Sequence, residues 1–227
     1  MKTIISNQLL ILSDFCVNSS IESSTICLNS LLSILKFNAI FLDVYREVGL
    51  LDIISSLLIF YSQSEESDSE ALLELIADNV YHMLLGPNNQ NCQLFNECGA
   101  AKHTFGFLSN TKCSKRLRKK AFGIIQQLIL SNSGEEHLAN LLAMMHRETD
   151  ITTNLNLKSS ILKSLLVVLR ENHRVRAIFR KVGGFVYVMS VLVHMEGCLS
   201  GRTDSWNGVE PKKIWNLLRF AIKLKLG

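Results

Sequence analysis

Apolar residues recur at helical spacing through most of the chain. Leu72, Leu75, Ile76, Val80, Met83 and Leu84 line one face of a helix with about 3.6 residues per turn, and Phe122, Ile125, Leu128 and Ile129 do the same. Strand-like alternation is rare. Ile161, Leu162, Leu165, Leu166 and Leu169 make a face too broad for one neighbour to cover, which predicts an interior helix packed on two sides. Polar segments punctuate these runs. Ser62 to Ser69 reads as an acidic linker, Gly86-Pro87 as a helix stop, Ser131 to Gly134 as a break and Gly197 to Gly208 as a longer loop. None divides halves of different composition, so the expectation is a single domain over 1–227, with a flexible acidic loop at 62–69 and a loop at 197–209.

A repeat underlies the pattern. Tyr45-Arg46-Glu47-Val48-Gly49, Phe95-Asn96-Glu97-Cys98-Gly99 and Phe179-Arg180-Lys181-Val182-Gly183 each place an aromatic four residues before a glycine. Each follows an Asn-containing helix start and precedes an apolar run, Leu50 to Leu58, Ala100 to Leu108 and Gly184 to Leu192. Glycine takes the left-handed conformation that other residues resist, so a short helix is expected to end at Gly49, Gly99 and Gly183 and turn into a longer one. The glycines lie 50 and 84 residues apart (99 − 49 and 183 − 99), and twice 42 is 84. That leaves room for a degenerate unit around Glu135 to Met145. A period of about 40 to 47 residues is that of armadillo and HEAT repeats, so the fold predicted is all-α, an armadillo/HEAT-like right-handed α-solenoid.

Composition agrees. Of 227 residues 48% are hydrophobic and only two are proline, which excludes a disordered chain and disfavours sandwiches, barrels and propellers made of many short strands. The six cysteines show no C-x-x-C pair and the six histidines no i, i+3 or i, i+4 pair, so neither a metal site nor a compact disulfide framework is suggested. No apolar run reaches the roughly 18 to 20 residues of a membrane span. No nucleophile elbow, phosphate loop or H-E-x-x-H is present. Glu135-Glu136-His137 reads as acids at the positive end of a helix. The expectation is a cytoplasmic chain with no enzyme activity, cofactor, metal or small-molecule substrate.

The net charge of +4 is too small to predict nucleic-acid or membrane binding alone, so any basic function must be local. Lys112 to Lys120 (KCSKRLRKK) holds six basic residues in nine, giving Lys115, Arg116, Arg118, Lys119 and Lys120 as candidate contacts. A second group, Arg170, Arg174, Arg176, Arg180 and Lys181, surrounds the best repeat, with Arg176 and Arg180 four apart on one face. Either group can be a solvated face or a site for protein partners, the latter ordered as an acidic peptide or anionic membrane surface ahead of nucleic acid, because no aromatics interleave for base stacking. Glu65, Glu66, Asp68 and Glu70 read as solubilising the linker. Pro211 to Gly227 reads as a last repeat helix, with Ile214, Leu217, Leu218 and Ile222 inward.

The segment Leu169 to Val193, LRENHRVRAIFRKVGGFVYVMSVLV, carries a likeness, centred on Phe179 to Tyr187. It resembles the N-terminal armadillo-like region of the large BEACH, WD-repeat and FYVE-domain proteins, most of all their autophagy-linked branch, with a related immune branch involved in antigen cross-presentation as the alternative. The resemblance covers Leu157 to Leu199 well and the upstream chain more weakly. It implies a scaffold in selective autophagy of protein aggregates or in endosomal and vesicle traffic, associated with autophagic or endosomal membranes in the full-length protein. No BEACH domain, WD-repeat blade or FYVE finger stands in this chain, so a fragment or short product is expected. The alternative is an import-type or nucleic-acid-associated armadillo adaptor using 112–120.

Overall fold

A computed structural model describes residues 21–37, 40–63, 69–85, 89–147, 151–200 and 219, and the regular elements among them are all α-helices. In chain order these are α1 (Ile21–Phe37), α2 (Ile40–Glu47), α3 (Leu50–Gln63), α4 (Ser69–Leu84), α5 (Asn89–Glu97), α6 (Ala100–Ser109), α7 (Lys115–Leu130), α8 (Gly134–Arg147), α9 (Ile151–Glu171), α10 (His173–Lys181) and α11 (Gly184–Ser200). The all-α, solenoid-like class expected from the sequence is the one found. The chain forms two compact units, Met1–Leu128 and Ile129–Gly227.

The three expected glycine turns are present. Gly49, Gly99 and Gly183 have φ of 80°, 75° and 73°, the left-handed region. In each turn the glycine N–H donates three residues back, to Arg46 O, Asn96 O and Arg180 O, while the residue before it donates four back. The glycine carbonyls then accept from Ile53, Lys102 and Val186, so one residue ends a short helix and opens the next. The aromatic four residues earlier packs inward every time: Tyr45, Phe95 and Phe179 are buried. At the third turn space is tightest, because a Cβ on Gly184 would stand 2.3 Å from the Phe179 ring.

In the first unit α4 packs between α1 and α3, and α3 also meets α5 and α6. Ile54, Leu58, Leu72, Ile76, Ala77 and Val80 form its dry centre, each 2% exposed or less. Gly123 of α7 lies against Tyr81 of α4, where an added Cβ would be 3.1 Å from the ring. In the second unit α8 touches α9, α10 and α11. Here α8 runs unbroken through the stretch assigned to a degenerate repeat. Residue 141, where a 42-residue period from Gly99 would put another glycine turn, is a fully buried leucine.

Three boundaries differ from the sequence reading. Ser62 and Gln63 complete α3 and Ser69 begins α4, and the remainder of the expected loop, 64–68, lies outside the described residues. Gly197 is no helix end, since α11 continues to Ser200. The proposed terminal helix, 211–227, lies outside the described residues apart from Arg219, which is helical and exposed.

Candidate protein-interaction surface

Side-chain bonds between repeats recur at nearly one sequence separation. Within the first unit, Arg46 Nη1 donates to Asn91 Oδ1 (3.3 Å, 45 residues apart), Cys98 Sγ to Asp52 Oδ1 (3.3 Å, 46 apart), and Ser62 Oγ lies 2.9 Å from His103 Nδ1 (41 apart). The Ser114 N–H and hydroxyl donate to Glu70 and Glu74, 44 and 40 residues away. Lys120 pairs with Asp78, 42 residues away. Within the second unit Arg174 donates to Asn132 and Lys181 to Glu135, separations of 42 and 46. Asn79 to Leu28 O at 51 and Cys92 to Gln127 O at 35 depart from the series. The period inferred from the glycines is thus the distance over which one repeat grips the next.

The basic stretch 112–120 falls apart into two kinds of cation. Ser114 is the N-cap of α7: its hydroxyl oxygen takes the Leu117 N–H at 3.0 Å and its carbonyl the Arg118 N–H at 3.1 Å. Arg118 folds back, donating from Nε and Nη2 to Cys113 O at 3.2 and 2.9 Å. Lys120 reaches Asp78, which also has Lys36 Nζ at 3.7 Å and His82 Nε2 at 4.0 Å. One carboxylate therefore ties α1, α4 and α7 together. Desolvation holds the His82 pKa below its ordinary 6.5; Asp78 pulls it up, while Lys36 and Lys120 push it down.

Lys112, Lys115, Arg116 and Lys119 are different. All four are exposed, and no carboxylate among the described residues lies within ion-pair reach of them. Lys115 and Lys119 are four apart, on one helical face, with Arg116 beside them and Lys112 in the turn before. The acids of α4, spaced every four residues at Glu70, Glu74 and Asp78, are already engaged with Ser114 and Lys120. Glu70 is accordingly a capping group for α7 rather than part of a solvated linker.

The arginine group of the second unit divides in the same way. Arg176 Nη1 donates to Leu169 O at 2.8 Å and so closes the C-terminus of α9, whose last carbonyls have no partner in the helix itself. Arg174 holds Asn132, and its N–H is received by the N-cap Asn172 at 2.8 Å. Lys181 pairs with Glu135 at 2.8 Å. Arg180 remains exposed. Of the seven basic candidates, Arg118, Lys120 and Arg176 serve the fold, and Lys115, Arg116, Lys119 and Arg180 project outward.

Exposed apolar side chains also occur. Phe185, Val186, Met189 and Val193 share a face of α11, and Ile26, Ile34 and Phe37 a face of α1, with Phe37 87% exposed. The sequence reading missed both, because helical periodicity does not say which apolar positions find a neighbour. No described helix is long and apolar enough to cross a membrane. Among the described residues no cluster of three His, Cys, Asp or Glu is arranged to hold a metal ion. The Cys92 and Cys98 thiols are pushed up to about 11, both chiefly by burial, with Asp52 adding to the shift at Cys98, so neither ionises near neutral pH.

No protein-family model matches the chain. It is similar to the human WD repeat- and FYVE domain-containing protein 4, 27% identical over 207 residues, covering 86% of this chain. The chain spans about 6% of the length of that relative. The likeness supports a distant relation to a WD-repeat and FYVE-domain protein and does not single out the autophagy-linked branch. Among solved structures, the chain superposes on an engineered protein with a TM-score of 0.53 at 15% identity, covering 92% of this chain and 77% of that one, a likeness of fold alone.

Proposed function

We propose that this chain is a non-catalytic scaffold region, a helical-repeat part of a WD-repeat and FYVE-domain protein, acting in selective autophagy of aggregated proteins or in endosomal and vesicle traffic. One observation carries the reading: similarity to such a protein runs over 86% of the chain, far more than a single helix pair spans. A helical repeat offers long exposed helix faces and is suited to holding partners. The chain works in the cytoplasm, at autophagic or endosomal membranes when joined to the rest of the large protein. An import-type or nucleic-acid adaptor would draw on 112–120, but Arg118 and Lys120 are engaged internally and no exposed large apolar or aromatic residue lies in that stretch. Those two facts support a protein scaffold over that alternative.

Proximity labelling with the chain as bait, in cells with induced protein aggregates, tests the reading against an unrelated helical-repeat protein expressed at the same level. Enrichment of aggregate and autophagosome components is the expected result. A profile equal to the control, or one dominated by nuclear-import factors, overturns it.

A further inference from the structure

The row Lys112, Lys115, Arg116 and Lys119 breaks a local rule. The first turn of a helix is its positive end, where cations are disfavoured. Lys115 and Arg116 stand in the first turn of α7 and Lys119 just after it, and no ion pair joins them to Glu70 or Glu74, each of which accepts from Ser114 through one carboxylate oxygen. The neighbouring cations, Arg118 and Lys120, do have internal partners, so the fold has acceptors for the charges it uses. An arrangement that costs stability and yields no internal contact marks a surface kept for something outside the unit.

Its chemistry narrows the partner. No large apolar residue between 100 and 130 is exposed, so the stretch that carries the row offers no side chain of its own to enter a bilayer and no aromatic to stack on a base. What the row itself offers is positive charge, spread over about one helical turn plus the preceding loop. An extended acidic strand places every second carboxylate on one face, about 6.6 Å apart, close to the roughly 6 Å along the helix axis between Lys115 and Lys119. We propose that the exposed cation row at the start of α7 is a docking site for an acidic segment of a partner protein. The inference rests on the scaffold reading for its partner being a protein; the row itself stands on the geometry.

The test is binding of a fluorescent Glu/Asp-rich peptide to the full chain by anisotropy, at low and physiological salt. Variant K115E/K119E is compared with K163E/R170E, which changes net charge by the same amount in the second unit. Binding should fall about tenfold or more in K115E/K119E, persist in K163E/R170E and weaken with salt in the wild-type chain. K115E/K119E should melt at or above the wild-type temperature, because acids suit a helix start, so lost binding cannot be lost folding. Equal loss in the two variants, absence of wild-type binding, or tighter binding to RNA or to anionic vesicles of matched charge overturns the proposal. Proximity labelling by the wild-type chain is read separately, so failure of the row leaves the scaffold reading to its own outcome.

Discussion

Glu70 accepts the Ser114 backbone N–H at 2.6 Å, placing a carboxylate from the first turn of α4 on the residue that caps α7, 44 positions along the chain. Ser114 also donates its hydroxyl to Glu74 at 2.5 Å and receives the Leu117 N–H. A single N-cap thus joins two repeats.

Ser114→Ala removes the cap and leaves Glu74 without its donor. It should cost about 1 to 2 kcal/mol by urea unfolding. Ser114→Thr keeps the hydroxyl and should lose less than half of that, which separates the cap from a general effect of substitution at the site.

Gly99 and Gly183 have nothing within 4 Å of a built Cβ, so substitution there meets backbone strain alone. Gly99→Ala should destabilise by about 1 to 2 kcal/mol, and Gly99→Asn by less, because asparagine visits the left-handed region more readily. Gly184→Ala is a different lesion: its methyl would press on the buried Phe179 ring, and the cost, about 1 to 3 kcal/mol, should be accompanied by altered near-ultraviolet dichroism. Equal melting temperatures for the alanine variants and the parent would contradict both.

Asp78 neutralises Lys36 and Lys120 in one half-buried place. Asp78→Asn leaves two ammonium groups facing each other and should lower stability by about 1 to 3 kcal/mol. Adding Lys120→Met should restore part of that loss, a coupling that a double-mutant cycle reads directly.

Stability should fall on mild acidification. Burial keeps His82 and His137 below the 6.5 of an unfolded histidine, so under acid the unfolded chain binds more protons than the folded one. Their contribution is intact above pH 6.5 and is lost progressively as pH drops through that value toward the depressed folded pKa values. A chain carrying His82→Gln should show a shallower loss of melting temperature between pH 7 and 5 than the parent.

The fold was largely readable because its punctuation is chemical. A glycine four residues after an aromatic and just before an apolar run has few alternatives to a left-handed turn, and Gly49, Gly99 and Gly183 all make one. What escaped was set by tertiary register. Nothing in the local sequence distinguishes Arg118, which bonds Cys113 O, from Lys119, which projects outward, and Arg176 shows its capping role only once α9 ends at Glu171. The spacing of Glu70, Glu74 and Asp78 at four-residue intervals was a usable signal that these acids share a face and serve one neighbour. The unbroken α8 had no such signal, since leucine at 141 fits a helix interior as well as a repeat start.

The links that recur every 40 to 46 residues also have a mechanical meaning. A polar rung that reaches only its successor transmits tension locally, so under load such an array surrenders one rung before straining the next. Within a unit, extension by force should therefore be stepwise, each yield releasing a length of chain close to one repeat, and the array should act as a graded spring where a single knitted core would snap.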